Sequence, residues 1–463
     1  MAWSKPRRAF LVSAGLGLLA SCASHRPLPL DANAVNAALE PPKLETVKIL
    51  ASRIEHPLLQ PLTIDGRDGF SPDEIAVMTV VVSPELRALR DQRGVARAQV
   101  LQAGILPNPQ LSYSLDRPHG NSDPTLVDAP TLALSWEFTA LLARHDDIAA
   151  AKASSGAVDL SVAWQEWQTA QDARLRAFRL LALERESPLA AEIETDAADS
   201  LVLTKRALTL GHKTAADLTA ATTAWTLAQN NRLALAQQIR AERRALNLAL
   251  ALPADQTVIL KDASAFPDLP TNDSATAATL LQGLEKRRLD LVALTLGYES
   301  QEAGLRAAVK RQFPKIGLSL SRAKDTSAVK SRGFGVTIDL PLFDRNQGQI
   351  AIARATRQQL FDEYVARVAE ARAEVRQILD ELAETRAQLR AVDESLPEFE
   401  QLVSAFEQAL ATRNADIPAY REARAALATR RMDRFQLQQS VLELGVALEI
   451  ATGRPLLNRA AVN

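Results

Sequence analysis

One cysteine and five histidines are the residues from which reactive chemistry would have to start in this 463-residue chain. His25, His56, His119, His145 and His212 are scattered, with no two at a metal-ligand spacing. His145 with Asp146 and Asp147 could be imagined as a cation site, but reads better as the solvated start of a helix. Of three methionines one is Met1, which excludes a methionine-rich copper relay. A lone Cys22 excludes an intrachain disulfide. No nucleophile stands beside a base and an orienting acid, so the sequence offers no catalytic, metal or cofactor-binding site and does not read as an enzyme. The net charge of −1 carries no broad preference for nucleic acid.

Cys22 belongs to a different chemistry. Lys5, Arg7 and Arg8 precede an apolar stretch from Ala9 to Ala20, and Leu19-Ala20-Ser21-Cys22 follows. That order fits a lipoprotein export signal, cleaved before a cysteine that becomes lipidated. The alternative is a buried cysteine behind an ordinary signal peptide. Ala23 replaces the aspartate that would hold a lipoprotein in the inner membrane, so the outer membrane is favoured. Arg7-Arg8-Ala9-Phe10-Leu11 also suits twin-arginine export, although Pro6 and Val12 depart from that pattern.

The elements that would carry such an anchored protein are unusual. Gly333 to Ala355 opens as a strand, with Phe334, Val336, Ile338 and Leu340 alternating with Gly335, Thr337 and Asp339, and ends as a helix. No glycine occurs between Gln349 and Leu444. Over that run a 3-4 spacing continues from Phe361, Tyr364 and Val368 through Leu382 and Leu396 to Leu410. Such a sustained seam is a coiled-coil signal. Gly348 to Thr412 would reach roughly 100 Å as one helix. Pro397 lies in register with the seam, so a kink is expected rather than a stop.

Four strands are expected: Gln110 to Asp116, Thr131 to Phe138, Lys315 to Arg322 and Gly333 to Leu340. Leu111, Tyr113, Leu115, Leu132, Leu134, Trp136, Phe138, Ile316, Leu318 and Leu320 share one face. Ser112, Ser114, Asp116, Ser135, Glu137, Ser319, Ser321, Thr337 and Asp339 share the other. Apolar outside and small polar inside marks a barrel between lipid and water; hairpins on a soluble core would alternate likewise. Four strands cannot close, and open edges cannot face lipid, so several copies must contribute. Three copies would supply twelve strands. Trp136, Phe138 and Phe343 fall where strands become helices, as interfacial aromatics or as core packing.

The chain is an internal duplication. Its expected parts are a signal peptide (1–21), a proline-rich tether (22–70), a first repeat (71–253), an irregular connector (254–278), a second repeat (279–455) and a tail (456–463). Each repeat reads helix, proline turn, hairpin, long helix, short polar turn and a returning helix of about 35 residues. The polar turns are Leu210 to Asp217 and Thr412 to Pro418.

Ser83 to Asp116, Leu284 to Ser321 and Val336 to Ala355 together resemble the TolC-like outer-membrane efflux factors. "AGILPNPQL" is closest to the lipoprotein branch associated with heavy-metal efflux. The resemblance covers about residues 70 to 455. It implies a mainly α fold with a membrane β-barrel: long coiled-coil helices in a trimeric α-barrel below a twelve-stranded barrel with four strands per chain. It also implies a passive duct for metal cations or for drugs and solvents. Its partners would be a periplasmic membrane-fusion adaptor and an inner-membrane pump of the resistance-nodulation-division type. The far helix turns would form the periplasmic tips. Leu210, Gly211, His212 and Lys213 stand in the first tip, and Arg413 and Asn414 in the second, where glycine is usual. Gly211 is equally a plain helix-ending glycine. Asp217, Asp416 and Glu422, with Arg413, would form a periplasmic gate. Asp217 could pair with Arg413 as a latch, or be an ordinary solvated charge. A lipoprotein coiled-coil scaffold without channel activity is the alternative.

Overall fold

The computed structural model describes residues 25–119, 125–261, 274–412 and 417–456. The chain divides into two units, residues 1–42 and 43–463. In the first, helix α1 (Ala32–Leu39) is started by Asp31, whose carboxylate accepts the Ala34 N–H at 2.8 Å. Cys22 lies outside the described residues.

The larger unit opens with α2 (Leu44–Ala51), so the expected tether contains helices rather than only extended chain. Val47 and Ala51 are buried, as are Leu59 and Ile64 in the coil that follows. A second departure is α3 (Pro72–Val82). Ser71 and Glu74 cap each other's backbone at its start, and nearly every residue in it is buried. Its run from Val77 to Val82 is mostly valine and buried nearly all round, with only Thr79 polar, so it shows no helical stripe. Then come α4 (Pro84–Gly104), β1 (Gln110–Asp116) and β2 (Ala129–Glu137). The first long pair is α5 (Ala140–Thr209) and α6 (Ala215–Ala249).

The described start of the connector pairs with the end of the tether. Phe70 N–H donates to the Ile259 carbonyl and Lys261 N–H to that of Phe70, both at 2.9 Å. Helix α7 (Ser274–Leu281) begins inside the expected connector. Gly283, at φ +68°, and extended Arg288 then cut the expected single helix into α7, α8 (Leu284–Arg287) and α9 (Leu289–Lys310). The second repeat continues through β3 (Lys315–Lys324), β4 (Lys330–Asp339), α10 (Gln347–Ala411) and α11 (Ile417–Thr452).

The two long helices hold 70 and 65 residues and stay helical through Pro188 and Pro397. At 1.5 Å per residue each reaches about 100 Å. The expected seam is the buried stripe of α10: Ala371, Val375, Ile378, Leu382, Val392, Leu396 and Val403 are buried in turn. Near its far end Val392, Leu396 and Val403 pack against Ala423 and Leu427 of α11. In α5, Ala170, Ala173 and Ala177 are fully buried, so small side chains let other elements approach closely. Trp164 and Trp167 sit on the same stretch, against Ala76, Val80 and Leu86.

Candidate functional site: sheet face, helix tips and buried charge clamps

The strands form one antiparallel sheet in the order β1-β2-β3-β4. Leu111 faces Leu134, Leu134 faces Leu320, and Leu320 faces Phe334, which makes one continuous apolar row. Trp136, Leu318 and Val336 make the adjacent row. Most of this face is solvent-exposed in the single chain; Leu111, Tyr113, Leu320 and Phe334 each retain more than half of their surface. The opposite face is built from small residues. Ser319 faces Gly335 and Ser321 faces Gly333, and a Cβ on either glycine would stand 2.6 or 2.7 Å from the serine hydroxyl. At the helix end of the sheet, Trp136 Nε1–H donates to the carbonyl of Pro107 in the turn before β1 at 2.8 Å, and Phe138 N–H donates to that of Ile316 in β3 at 3.3 Å, joining the two hairpins.

Below the sheet, Asp146 and Asp147 do not present a cation site. The Asp146 carboxylate is buried against Lys310 Nζ at 2.6 Å and Arg306 Nε at 3.3 Å. Asp147 accepts Arg311 at 2.7 and 2.8 Å, while the His145 ring is almost wholly exposed. Lys310 and Arg306 together hold Asp146 below the usual carboxylate range, against the upward pull of its burial. Its partners are the protein's own cations. Among the described residues no cluster of acids, histidines or cysteines suits a metal ion.

At the first tip, Gly211 takes φ +76°. His212 N–H donates to the Ala207 carbonyl at 2.8 Å and Gly211 N–H to that of Leu208 at 3.0 Å, the paired bonds of a glycine-terminated helix. Leu210, His212 and Lys213 are exposed. Asp217 is occupied locally: its carboxylate accepts the Thr214 N–H and hydroxyl at 2.8 Å each, with Lys213 Nζ at 3.5 Å. These bonds from Thr214 and the nearby lysine lower its pKa. Sequence reasoning missed this role, although Thr214 three residues before Asp217 was the signal for it. Arg413, Asn414 and Asp416 lie outside the described residues, so the latch has no described geometry. Glu422 is exposed on α11.

The sequence reading also missed three charge clamps about the repeats. Arg288, fully buried, donates to Asp290 at 3.0 and 2.9 Å and to Glu374 at 2.9 Å, and stacks over Trp164. Arg174 lies 2.8 Å from Asp73 and donates to Glu449 at 2.7 Å. Glu166 is held by Arg90 at 2.5 Å and Arg93 at 3.2 Å. Beside it, His56 Nδ1 accepts the N–H groups of Leu58 and Leu59 at 3.0 Å, and its Nε2–H donates to the Ala163 carbonyl at 2.9 Å. Both nitrogens are thus used by the neutral ring. Burial, reinforced by Arg93 and Arg90, lowers the His56 pKa against the opposing pull of Ala163 and Glu166.

These features define a class, and the comparisons agree with it. Residues 280–454 match the family described as outer membrane efflux protein. No protein among the curated sequences matches the chain. The outer membrane protein VceC of Vibrio cholerae is similar in structure, with a TM-score of 0.65 at 17% identity over 83% of this chain and 96% of that one. CusC, described in terms of transmembrane channel formation, gives 0.65 at 19% over 87% and 98%. The Campylobacter jejuni outer membrane channel CmeC gives 0.67 at 14% over 95% and 96%. The match to the outer membrane efflux protein family is confined to residues 280–454, and nearly the whole chain shares the fold of these solved structures.

Proposed function

We propose that this protein is the outer-membrane duct of a tripartite efflux pump. Three copies complete a twelve-stranded barrel in the membrane and a helical barrel in the periplasm. The duct docks through its tips onto a periplasmic membrane-fusion adaptor and a pump of the resistance-nodulation-division type. It passes metal cations, drugs or solvents without catalysis. Leu210, Gly211, His212, Lys213, Arg413 and Asn414 are the docking residues, and Asp217, Arg413, Asp416 and Glu422 line the mouth. Lipidated Cys22 anchors the mature chain.

One observation carries the reading: an apolar sheet face, exposed in the single chain and open at β1 and β4, is fused to helices of 70 and 65 residues. Lipid and neighbouring copies are what such a face and such edges require. The test joins the oligomeric mass in detergent to ion conductance in planar bilayers. A trimer with discrete conductance steps is expected. A monomer without conductance would return the chain to the scaffold reading. Labelled palmitate incorporated by the wild type and lost in Cys22→Ala tests the anchor.

A further inference from the structure

The outward sheet face does not remain apolar to its far end. One row holds Leu134, Leu320 and Phe334; in the next, Leu132 faces Arg322, which faces Arg332. In the row beyond, Lys324 faces Lys330. These four cations share the parity of the apolar residues, and so stand on the same face. Arg322, Lys330 and Arg332 are exposed.

Directly opposed like charges weaken a strand pair, so the fold gains nothing from Arg322–Arg332 or Lys324–Lys330. Among the described residues none of the four has an ion pair. Asp325, the acid of the intervening turn, accepts the N–H groups of Ser327 and Val329 at 2.9 Å. At the corresponding end of β1 and β2 the cation is matched: Arg117 lies 3.4 Å from Asp128. Lysines at strand ends commonly serve to keep edges soluble. That role does not explain arginines directly beside Leu132 and one row beyond Leu320 and Phe334.

Height along the strand distinguishes the two cases. On β4 the outward apolar run is Phe334, Val336, Ile338 and Leu340. At about 3.3 Å per residue and a tilt near 45°, it covers roughly 14 Å of an apolar band about 25 Å tall. The basic rows begin directly beyond that run, where long Arg and Lys side chains reach outward toward the headgroup region. A ligand that meets both surfaces must carry acyl chains beside an anionic head.

We propose that Arg322, Lys324, Lys330 and Arg332 form a binding surface for phosphorylated lipid headgroups at the end of the barrel far from the helices. The proposal rests on the duct reading for the orientation of the sheet. The guanidinium forks suit bidentate contact with phosphate, and the two ammonium groups add charge one row further out. A soluble anion or an acidic peptide would match the charge but leave the adjoining apolar rows uncovered.

The test compares the full-length wild type with the variant R322Q/K324Q/K330Q/R332Q after reconstitution into phosphatidylcholine vesicles containing a minor fraction of bisphosphorylated lipid A. Lipid adducts retained after detergent extraction are counted by native mass spectrometry. The wild type is expected to keep lipid A, and the variant to lose it by roughly tenfold or more, since each cation near a lipid surface contributes about 1 kcal/mol. Trimer mass and conductance should not change. If R322Q/K324Q/K330Q/R332Q does not assemble, R322K/R332K must retain lipid A and R322Q/R332Q must lose it. Equal retention by wild type and neutralised variant overturns the proposal. So does displacement of lipid A by inorganic phosphate or an acidic peptide at equal concentration. Absence of trimer and conductance in the wild type would instead overturn the duct reading, whatever lipid is retained.

Discussion

Arg174 of α5 donates to Glu449 of α11 at 2.7 Å, and neither side chain is open to solvent. Asp73, at 2.8 Å, completes the triad, so α3, α5 and α11 meet at one guanidinium. Glu449 also accepts the Leu456 N–H at 2.7 Å. Removing one member of a buried pair strands the other, which typically costs about 3–5 kcal/mol. Arg174→Met should therefore lower unfolding stability by about that amount, while R174M/E449L should recover a large part of it. Denaturant unfolding of the two variants and of Glu449→Leu gives the cycle. A single Arg174→Met that costs nothing would mean that Glu449 is solvated.

His56 makes the packed segment between α2 and α3 sensitive to pH. The groups facing it are Glu166, Arg90 and Arg93, with backbone from Leu58, Leu59 and Ala163. Burial lowers its pKa from the ordinary 6.5, so the unfolded chain binds the extra proton first as pH falls. Its contribution is complete above 6.5 and is progressively lost as pH drops from there toward the lower folded value. Unfolding midpoints measured between pH 8 and roughly 5 should fall more steeply for wild type than for His56→Gln. Parallel profiles would remove His56 from the account.

Glu186 should show the opposite sign. Burial raises its pKa against a hydrogen bond from Gln436, so the ionised form destabilises the folded chain. The group takes up a proton on folding at pH values between its unfolded 4.5 and its raised folded value. Stability from this site thus increases as pH falls through the folded value. Glu186→Gln should be more stable than wild type at pH 8, and the difference should shrink toward pH 4. Thermal unfolding at the two pH values decides it; a less stable variant at pH 8 would show that the carboxylate is well solvated.

The strands and long helices were legible because their periods were long and uninterrupted. Leu111, Tyr113 and Leu115 sit in a strand whose expected and observed bounds coincide. The 3-4 seam marked the buried stripe of α10 because few breaks disturb its register. Helix α3 was illegible for the reverse reason: buried on all sides, Ile75 to Val82 has no polar face to set a period. The clamps join residues far apart in the chain, such as Arg90 with Glu166 or Arg288 with Glu374. No local spacing announces such a pair. The pairing of Asp146 was illegible in the same way, because its cations come from α9, more than a hundred residues away.

The sheet should separate its faces under substitution. Leu134 lies on a central strand between Leu111 and Leu320. Leu134→Arg places a charge on the lipid face and should cost about 2–4 kcal/mol if it lies near the membrane midplane. Insertion into vesicles should fall accordingly. Gly335→Ala tests the other face by sterics, because its Cβ would stand 2.6 Å from Ser319 Oγ. S319G/G335A should insert better than Gly335→Ala alone. Equal insertion of wild type and Leu134→Arg would put that face in water.

The first tip makes a prediction in which stability and docking can be separated. Thr214 and Asp217 cap α6 reciprocally, and Asp217→Ala should loosen the first turn of α6. Gly211→Ala places a side chain at φ +76°, with about 1–2 kcal/mol of backbone strain but no steric contact. Both variants should speed amide exchange in residues 205–220 and leave the α3–α5 core protected. If the tip docks an adaptor through its shape, Gly211→Ala should weaken capture of the adaptor beyond what Asp217→Ala does at matched local exchange. Asp217→Asn, which retains an acceptor for Thr214, should preserve the cap while removing the charge. Loss of gating in Asp217→Asn with exchange unchanged would assign the charge to the mouth. Unchanged conductance and exchange would leave Asp217 as a cap alone.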